Sequence, residues 1–226
     1  MDIYKTMDGY EVEIIERCKY DGWGRNIMLC RENGYMCSVT DRDIKNGFNL
    51  LIFGFGYIKP DSKEHFMSIM GSDAYKRYYS MIHRCYSDDP ACFRYRDVSV
   101  CDEWRDFNNF EAWFNDNYVP GFHLDKDLFS TPGVKKMYSP VTCCFIPPSV
   151  NVMIGTNKDH VIKRGDKYGF IDKSIMIRQR YILFNSEQEA KDMKRMCMRL
   201  KIKTIVEIYY SVLKKRVVEK LLSLYE

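Results

Sequence analysis

Five polar side chains in the second half of the chain have types suited to chemistry. His123, Asp125, Lys126 and Asp127 lie within a five-residue stretch, and Asn151 follows further along the chain. Carboxylate and amide oxygens are ligands that hard divalent cations such as Mg²⁺ prefer, and an imidazole can transfer a proton near neutral pH. Such chemistry requires that the fold bring the first four residues and Asn151 to one point.

The surrounding pattern predicts elements that do so. Residues 122–128 predict a strand with polar groups at its exit, residues 129–139 a loop and residues 143–146 a second strand. Residues 147–154 predict a helix, with proline in the first turn, where its missing N–H costs least. A β-hairpin followed by a helix can bring the end of its first strand next to a helix residue about 25 positions later.

The run from His123 to Asn151 resembles the HNH (His-Me finger) nuclease motif, and more closely a group of phage-encoded HNH-type proteins. The resemblance covers about residues 72–155 and depends on spaced motifs in a fixed order. They are Arg84-Cys85-Tyr86 with residues 100–104 and 107–110, then Leu124-Asp125-Lys126-Asp127, and finally residues 138–140 and 142–147 with Asn151.

This resemblance implies a metal-dependent DNA endonuclease of the homing or nicking type. In that family a histidine near the end of the first strand is the general base. An acidic or amide residue beside it and an Asn on the helix hold one Mg²⁺ or Mn²⁺ ion. In one register His123 takes the place of the base, Asp125 or Asp127 that of the acidic ligand, and Asn151 that of the helix ligand.

A second register is open, because the position before the histidine usually holds a polar metal ligand and here holds Phe122. Sliding the alignment by three residues puts Asp125 at the ligand place and Lys126 at the base place. Lysine is protonated at neutral pH unless it is strongly desolvated, so it would be a poor base, although it could stabilise transition-state charge. This register predicts a slow or inactive nuclease. The alternative function is then a decayed HNH scaffold that acts as a DNA-binding regulator or as an inhibitor of a host protein.

The expected fold class is α+β, in three domains. Residues 1–58 predict a small β domain, residues 72–157 the HNH-like (ββα-metal) module with preceding helices, and residues 160–226 a basic domain with a three-stranded sheet, helices and a C-terminal amphipathic helix. Residues 50–58 predict the last strand of the first domain, and residues 59–72 predict a linker.

The C-terminal segment is the predicted DNA anchor. Residues 161–226 contain sixteen Lys and Arg against eight Asp and Glu, whereas the rest of the chain has an acidic excess, which suits a polyanion partner. Residues 160–200 resemble an ethylene-responsive-factor-type DNA-binding domain, with three short strands followed by a helix that opens on a capping-box pattern at Ser186. That resemblance implies a sheet in the major groove of double-stranded DNA, where basic side chains reach phosphates and base edges. They are Lys167, Lys173, Arg178 and Arg180.

The cysteines and the apolar runs of the sequence indicate the cellular compartment that we expect for the protein. Nine cysteines without a C-x-x-C pair predict reduced, mostly buried thiols and no sequence-local zinc site. A site assembled from distant cysteines, such as Cys85, Cys101 and Cys143, stays open. Apolar runs are shorter than the roughly 18 residues that a membrane span needs, and the N-terminal residues are polar, so we expect a protein of the host bacterial cytoplasm.

Overall fold

The computed structural model describes residues 2–20, 23–154, 160–172 and 180–224, and its fold class is α+β, as predicted. The chain divides into two compact units. The first contains Met1–Tyr118 and Ser130–Thr142, and the second contains Val119–Phe129 and Cys143–Glu226. The sequence predicts three domains instead. The hairpin and helix of the HNH-like segment belong to the same unit as the basic C-terminal segment, whereas the helices that precede them belong with the N-terminal sheet.

The first unit begins with a four-stranded antiparallel sheet in the order β1-β2-β3-β4. The strands are β1 (Ile3–Lys5), β2 (Glu11–Tyr20), β3 (Trp23–Leu29) and β4 (Met36–Val39), followed by helix α1 (Asp41–Asn46). One face of the sheet buries an apolar cluster that includes Val12, Met28 and Phe48. The strand predicted at residues 50–58 is wrong, because Phe53 and Gly54 both take left-handed backbone angles, with φ of 49° and 69°, and turn the chain.

Helices and short strands complete the first unit. They are α2 (Lys63–Gly71), α3 (Asp73–Tyr86), 3₁₀ helices at Pro90–Tyr95 and Asp102–Arg105, β5 (Ser99–Val100), α4 (Phe107–Asn117) and β7 (Met137–Tyr138), which pairs in parallel with β5. The linker predicted at residues 59–72 is wrong, since helix α2 occupies most of it. The helix forms because Ser62 caps its first turn and because Phe66 and Ile69 bury one of its faces. Aromatic side chains form much of the core of this unit: Trp104, Phe107, Phe110 and Phe114 are buried, and Trp113 is half-buried.

The second unit contains the hairpin and the basic segment. Its elements are β6 (His123–Asp125), β8 (Cys144–Ile146), α5 (Pro148–Ile154), β9 (Ile162–Arg164), β10 (Lys167–Asp172), β11 (Arg180–Phe184), α6 (Glu187–Tyr209) and α7 (Lys215–Ser223). The last three strands form an antiparallel sheet in the order β11-β10-β9. Gly169 is needed in it, because a Cβ at this position would clash with the carbonyl oxygen of Ile182.

The second unit differs from the sequence prediction in the length of α6. The strand predicted at residues 175–177 lies outside the described residues. The helix capped by Ser186, expected to end near Leu200, continues to Tyr209 because Ile202 and Val206 extend its buried face. Among the described residues, no helix has the length and apolar character to cross a membrane.

Candidate functional site

The hairpin and the helix after it bring two of the predicted site residues together. β6 pairs antiparallel with β8, with His123 opposite Ile146. Asn151 lies in α5, where its backbone N–H donates to the Pro147 carbonyl at 3.1 Å. The side-chain amide nitrogen Nδ2 of Asn151 lies 3.4 Å from Nδ1 of the exposed His123 ring. The predicted meeting of the strand and the helix residue is therefore present.

The orientation of the Asn151 amide sets the chemistry of His123. If Nδ2 donates to Nδ1, the neutral ring carries its proton on Nε2 and can only donate there. With the amide turned by 180°, Oδ1 accepts from Nδ1–H, and the Nε2 lone pair is available to take a proton. Because the two amide orientations have nearly the same shape, this contact is compatible with either tautomer. The second one gives a general base.

Asp125 is occupied by the turn that follows β6. Its side chain is 3% exposed, and its Oδ2 accepts the backbone N–H groups of Asp127 at 2.9 Å and Leu128 at 2.7 Å. Burial raises the pKa of this carboxyl above its ordinary value, even though the two N–H donors act in the opposite direction. Asp125 therefore holds the turn in place, and burial leaves this carboxylate little room to ligate a cation.

Lys126 and Asp127 form an ion pair within the same turn. The Lys126 side chain is only 8% exposed, and its Nζ lies 3.0 Å from Oδ2 of the half-buried Asp127. A buried ammonium needs such a partner, because an uncompensated charge in the interior is costly. In the second register, the residue at the position of the general base is therefore a lysine that forms an ion pair with the neighbouring Asp127.

The donors near β6 fit a Mg²⁺ or Mn²⁺ ion only in part. Asn151 and Asp127 offer oxygen ligands of the kind that these ions prefer, whereas Asp125 is held by backbone N–H groups. Among the described residues, His, Cys, Asp and Glu side chains converge as a group of three at one place, and that place is in the first unit. The two Asp residues and His123 do not form such a group.

Two contacts that sequence reasoning missed support the hairpin. Phe122, at the place where the family usually has a metal ligand, is buried and packs edge-on against Tyr209 of α6, with ring centroids 5.2 Å apart. Arg216 of α7 donates from Nη2 to the Cys143 carbonyl at 2.5 Å and lies over the Phe129 ring at 4.8 Å. The apolar residue before His123 was the signal for the first contact. No local signal indicates the second, which joins distant parts of the chain.

The predicted DNA-contacting residues are only partly described. Lys167 is exposed at the start of β10. Arg180 begins β11 opposite Asp172 in the register, and its side chain lies outside the described residues, as do Lys173 and Arg178 altogether.

Strand β9 adds two exposed cations that the sequence analysis did not single out. Lys163 Nζ lies 5.5 Å from the centre of the Tyr168 ring, and the Arg164 guanidinium lies 3.5 Å from that of Tyr181. Arg164 is the register partner of Lys167. The β9–β10 hairpin therefore carries three exposed cations, Lys163, Arg164 and Lys167, of which Arg164 and Lys167 lie opposite each other in the register. We call this group the basic edge. Its signal in the sequence was the Lys-Arg pair before the Gly165 turn.

Comparisons with known proteins add no relative to this description. No protein-family model, curated protein or solved structure matches the chain. The functional conclusion therefore depends on the residues of the hairpin, α5 and the basic edge.

Proposed function

We propose that the protein is an HNH-like endonuclease of phage type, which nicks or cuts double-stranded DNA in the host cytoplasm. The observation that carries this proposal is the 3.4 Å contact between Asn151 and the exposed His123, made across a β-hairpin and the helix that follows it. His123 is the first residue of β6, whereas the resemblance implies a histidine near the end of this strand. A histidine that is exposed to solvent and contacts a helix amide is still a suitable general base. The HNH resemblance supplies the reaction class.

In this proposal His123 takes a proton from the attacking water through Nε2, and Asn151 accepts Nδ1–H and fixes the ring. Asn151 and Asp127 would hold the divalent ion through oxygen. When bound, that ion would stabilise the negative charge that develops on the phosphate. Asp125 and Lys126 act indirectly, because they shape the turn that leads away from β6.

The basic edge is the proposed contact with the DNA backbone. Lys163, Arg164 and Lys167 belong to the same unit as His123. Phosphate contacts of this kind position a protein on DNA and give a binding free energy that falls steeply with salt. Together with the remaining basic side chains of the segment, they would keep the substrate near the hairpin.

The test is cleavage of supercoiled plasmid with Mg²⁺ or Mn²⁺, comparing the wild-type protein with His123→Ala and Asn151→Ala. General-base catalysis is worth about 10²–10⁴ in rate, so His123→Ala should cut at least about 100-fold more slowly. Lys126→Met separates the registers: it retains cleavage if His123 is the base and loses it if Lys126 takes part. Equal cleavage by wild type and His123→Ala would reject the proposed role of His123.

A second candidate function is a binding-only scaffold, acting as a DNA-binding regulator or an inhibitor of a host protein. The turn after β6 favours this candidate. Asp125 accepts backbone N–H groups and Lys126 pairs with Asp127, so these side chains already have partners within the turn. Such a protein would bind DNA in a salt-sensitive manner without cleaving it in any divalent metal. Metal-dependent cleavage that disappears in His123→Ala would exclude this candidate.

A further inference from the structure

A group of three side chains with metal-binding chemistry lies in the first unit, whereas the residues assigned above belong to the second. His83 is in the last turn of α3, and Asp89 and Cys92 belong to the 3₁₀ helix at Pro90–Tyr95 and its N-cap. One ligand atom from each of the three lies within 4.8 Å of the other two. His83 lies outside the HNH-like motif, so the sequence predicts no role for it.

The local structure explains why these residues meet. A 3₁₀ helix has three residues per turn, so side chains at i and i+3 are eclipsed, which places Asp89 and Cys92 on one side. Cys92 Sγ lies 3.6 Å from His83 Nδ1, and Asp89 Oδ2 lies 3.6 Å from His83 Nε2. The other carboxylate oxygen, Oδ1, accepts the N–H of Ala91 at 2.8 Å and caps the 3₁₀ helix. Asp89 therefore has one oxygen fixed by the backbone and the other facing His83.

The His83 ring is held in this orientation by its neighbours. It packs edge-on against Phe53 with centroids 5.1 Å apart, and it is nearly parallel to the Tyr79 ring at 6.4 Å. Its place at the C-terminal end of α3 is favourable for a cation, because the helix dipole is negative there.

We propose that His83, Asp89 and Cys92 bind one Zn²⁺-like transition-metal ion. A nitrogen, a thiolate and a carboxylate oxygen are the donors that zinc uses, and metal–ligand distances of about 2.0–2.3 Å with tetrahedral angles imply ligand atoms about 3.3–3.6 Å apart. The 3.6 Å between Sγ and Nδ1 has this value. Asp89 Oδ2 faces the other ring nitrogen, Nε2, so the Asp89 carboxylate has to turn toward Nδ1 for one ion to bind all three residues. The sulfur ligand selects against Mg²⁺, so this site is separate from the ion of the proposed nuclease and does not depend on that function.

Two of the three proposed ligands border a cavity from which a fourth ligand could reach the ion, whereas His83 is not among the residues that line it. Asp89 and Cys92 line a cavity of about 290 Å³ that also contains Arg84 and Arg96. These two cations are turned toward aromatic rings, with Arg84 over Tyr95 at 5.6 Å and Arg96 over Phe93 at 5.0 Å. Three protein ligands with an accessible fourth position are typical of zinc sites that bind water or an external ligand.

The test is a Co²⁺ titration of the full-length, reduced, metal-free protein, with a Zn²⁺ competition afterwards. We expect one equivalent of Co²⁺ to produce a thiolate-to-cobalt absorption band, which Zn²⁺ then removes. Cys92→Ser should abolish the band, and His83→Gln should weaken binding at least about tenfold. Asp89→Asn, which keeps an oxygen to cap the 3₁₀ helix, should also weaken binding at least about tenfold.

Cys85→Ser is the matched control, because Cys85 lines the same cavity. It should keep the band and the affinity of the wild type. The proposal is overturned if the wild type shows no thiolate band, or if the band survives Cys92→Ser with the far-ultraviolet circular dichroism unchanged. A band lost in Cys85→Ser and kept in Cys92→Ser would likewise overturn this ligand assignment.

Discussion

Removing the Asp125 side chain should unfold the turn that carries the site. In Asp125→Ala the backbone N–H groups of Asp127 and Leu128 lose their acceptor. A buried donor without a partner costs about 1–3 kcal/mol. Because the Leu128 contact is buried and the Asp127 contact is only half-buried, we expect a loss of about 1–4 kcal/mol in the free energy of unfolding. Asp125→Asn keeps an acceptor oxygen of the same shape and should lose at most about 1 kcal/mol.

The assay is urea unfolding followed by circular dichroism, together with hydrogen exchange at the Leu128 amide. The amide should exchange faster in Asp125→Ala and at nearly the wild-type rate in Asp125→Asn. Plasmid cleavage adds the functional readout, because a turn-holding residue predicts that Asp125→Asn still cleaves. Wild-type stability in Asp125→Ala, or a stable Asp125→Asn without cleavage, would refute the structural role and favour a metal ligand.

The raised pKa of Asp125 also predicts how the stability of the wild type, compared with that of Asp125→Asn, depends on pH. A carboxyl whose pKa is higher in the folded protein than in the unfolded chain binds more protons when folded. Its contribution to stability is fully present below the ordinary value of 3.8 and is lost as the pH rises through the raised value. The wild type should therefore lose stability relative to Asp125→Asn as the pH rises from about 4 toward 7, and a gain over that range would contradict the stated cause.

Three further changes test the rest of the second unit. Arg216→Met removes a charged hydrogen bond to the Cys143 carbonyl and a ring contact, and urea unfolding should show a loss of about 2–4 kcal/mol. Replacing Arg164 and Lys167 by Gln should weaken DNA binding and make the slope of log K against log salt shallower by about 1.8, measured by fluorescence anisotropy, whereas the exposed Lys45→Gln should leave it unchanged. Ser186→Ala removes the N-cap of α6 and should cost about 1 kcal/mol in thermal unfolding, with Ser186→Asp as the control that keeps a cap.

Local signals predicted the helices well where a cap and an apolar face coincide. The cap predicted at Ser186 precedes α6, because its hydroxyl accepts a backbone N–H group of the first turn. Ser72 caps α3 in the same way. Helix α2 was missed because Pro60 and Gly71 bracket it, and such residues usually indicate a loop. Its amphipathic face, with Phe66 and Ile69 buried, outweighs those flanks.

For the candidate site, the sequence predicted which elements meet but not how the acidic residues are used. The strand–loop–strand–helix pattern, together with the HNH resemblance, predicted that His123 and Asn151 lie close to each other, and their side chains are 3.4 Å apart. Whether Asp125 faces a ligand or its own turn is decided by backbone geometry two and three residues later, where an Asp side chain competes for local N–H groups. The group of His83, Asp89 and Cys92 could not be predicted for a related reason. A 3₁₀ helix, which the sequence did not predict, aligns Asp89 with Cys92.

The central claim is that His123 is the base that activates water for DNA hydrolysis. Chemical rescue tests it most directly: His123→Ala is assayed for plasmid nicking in Mn²⁺ with and without added imidazole, and His65→Ala serves as an exposed-histidine control. We expect His123→Ala to lose at least about 100-fold in rate, imidazole to restore part of that rate, and His65→Ala to cleave like the wild type. Cleavage by His123→Ala at the wild-type rate would contradict the account, as would a loss that imidazole cannot restore in a variant that still binds DNA.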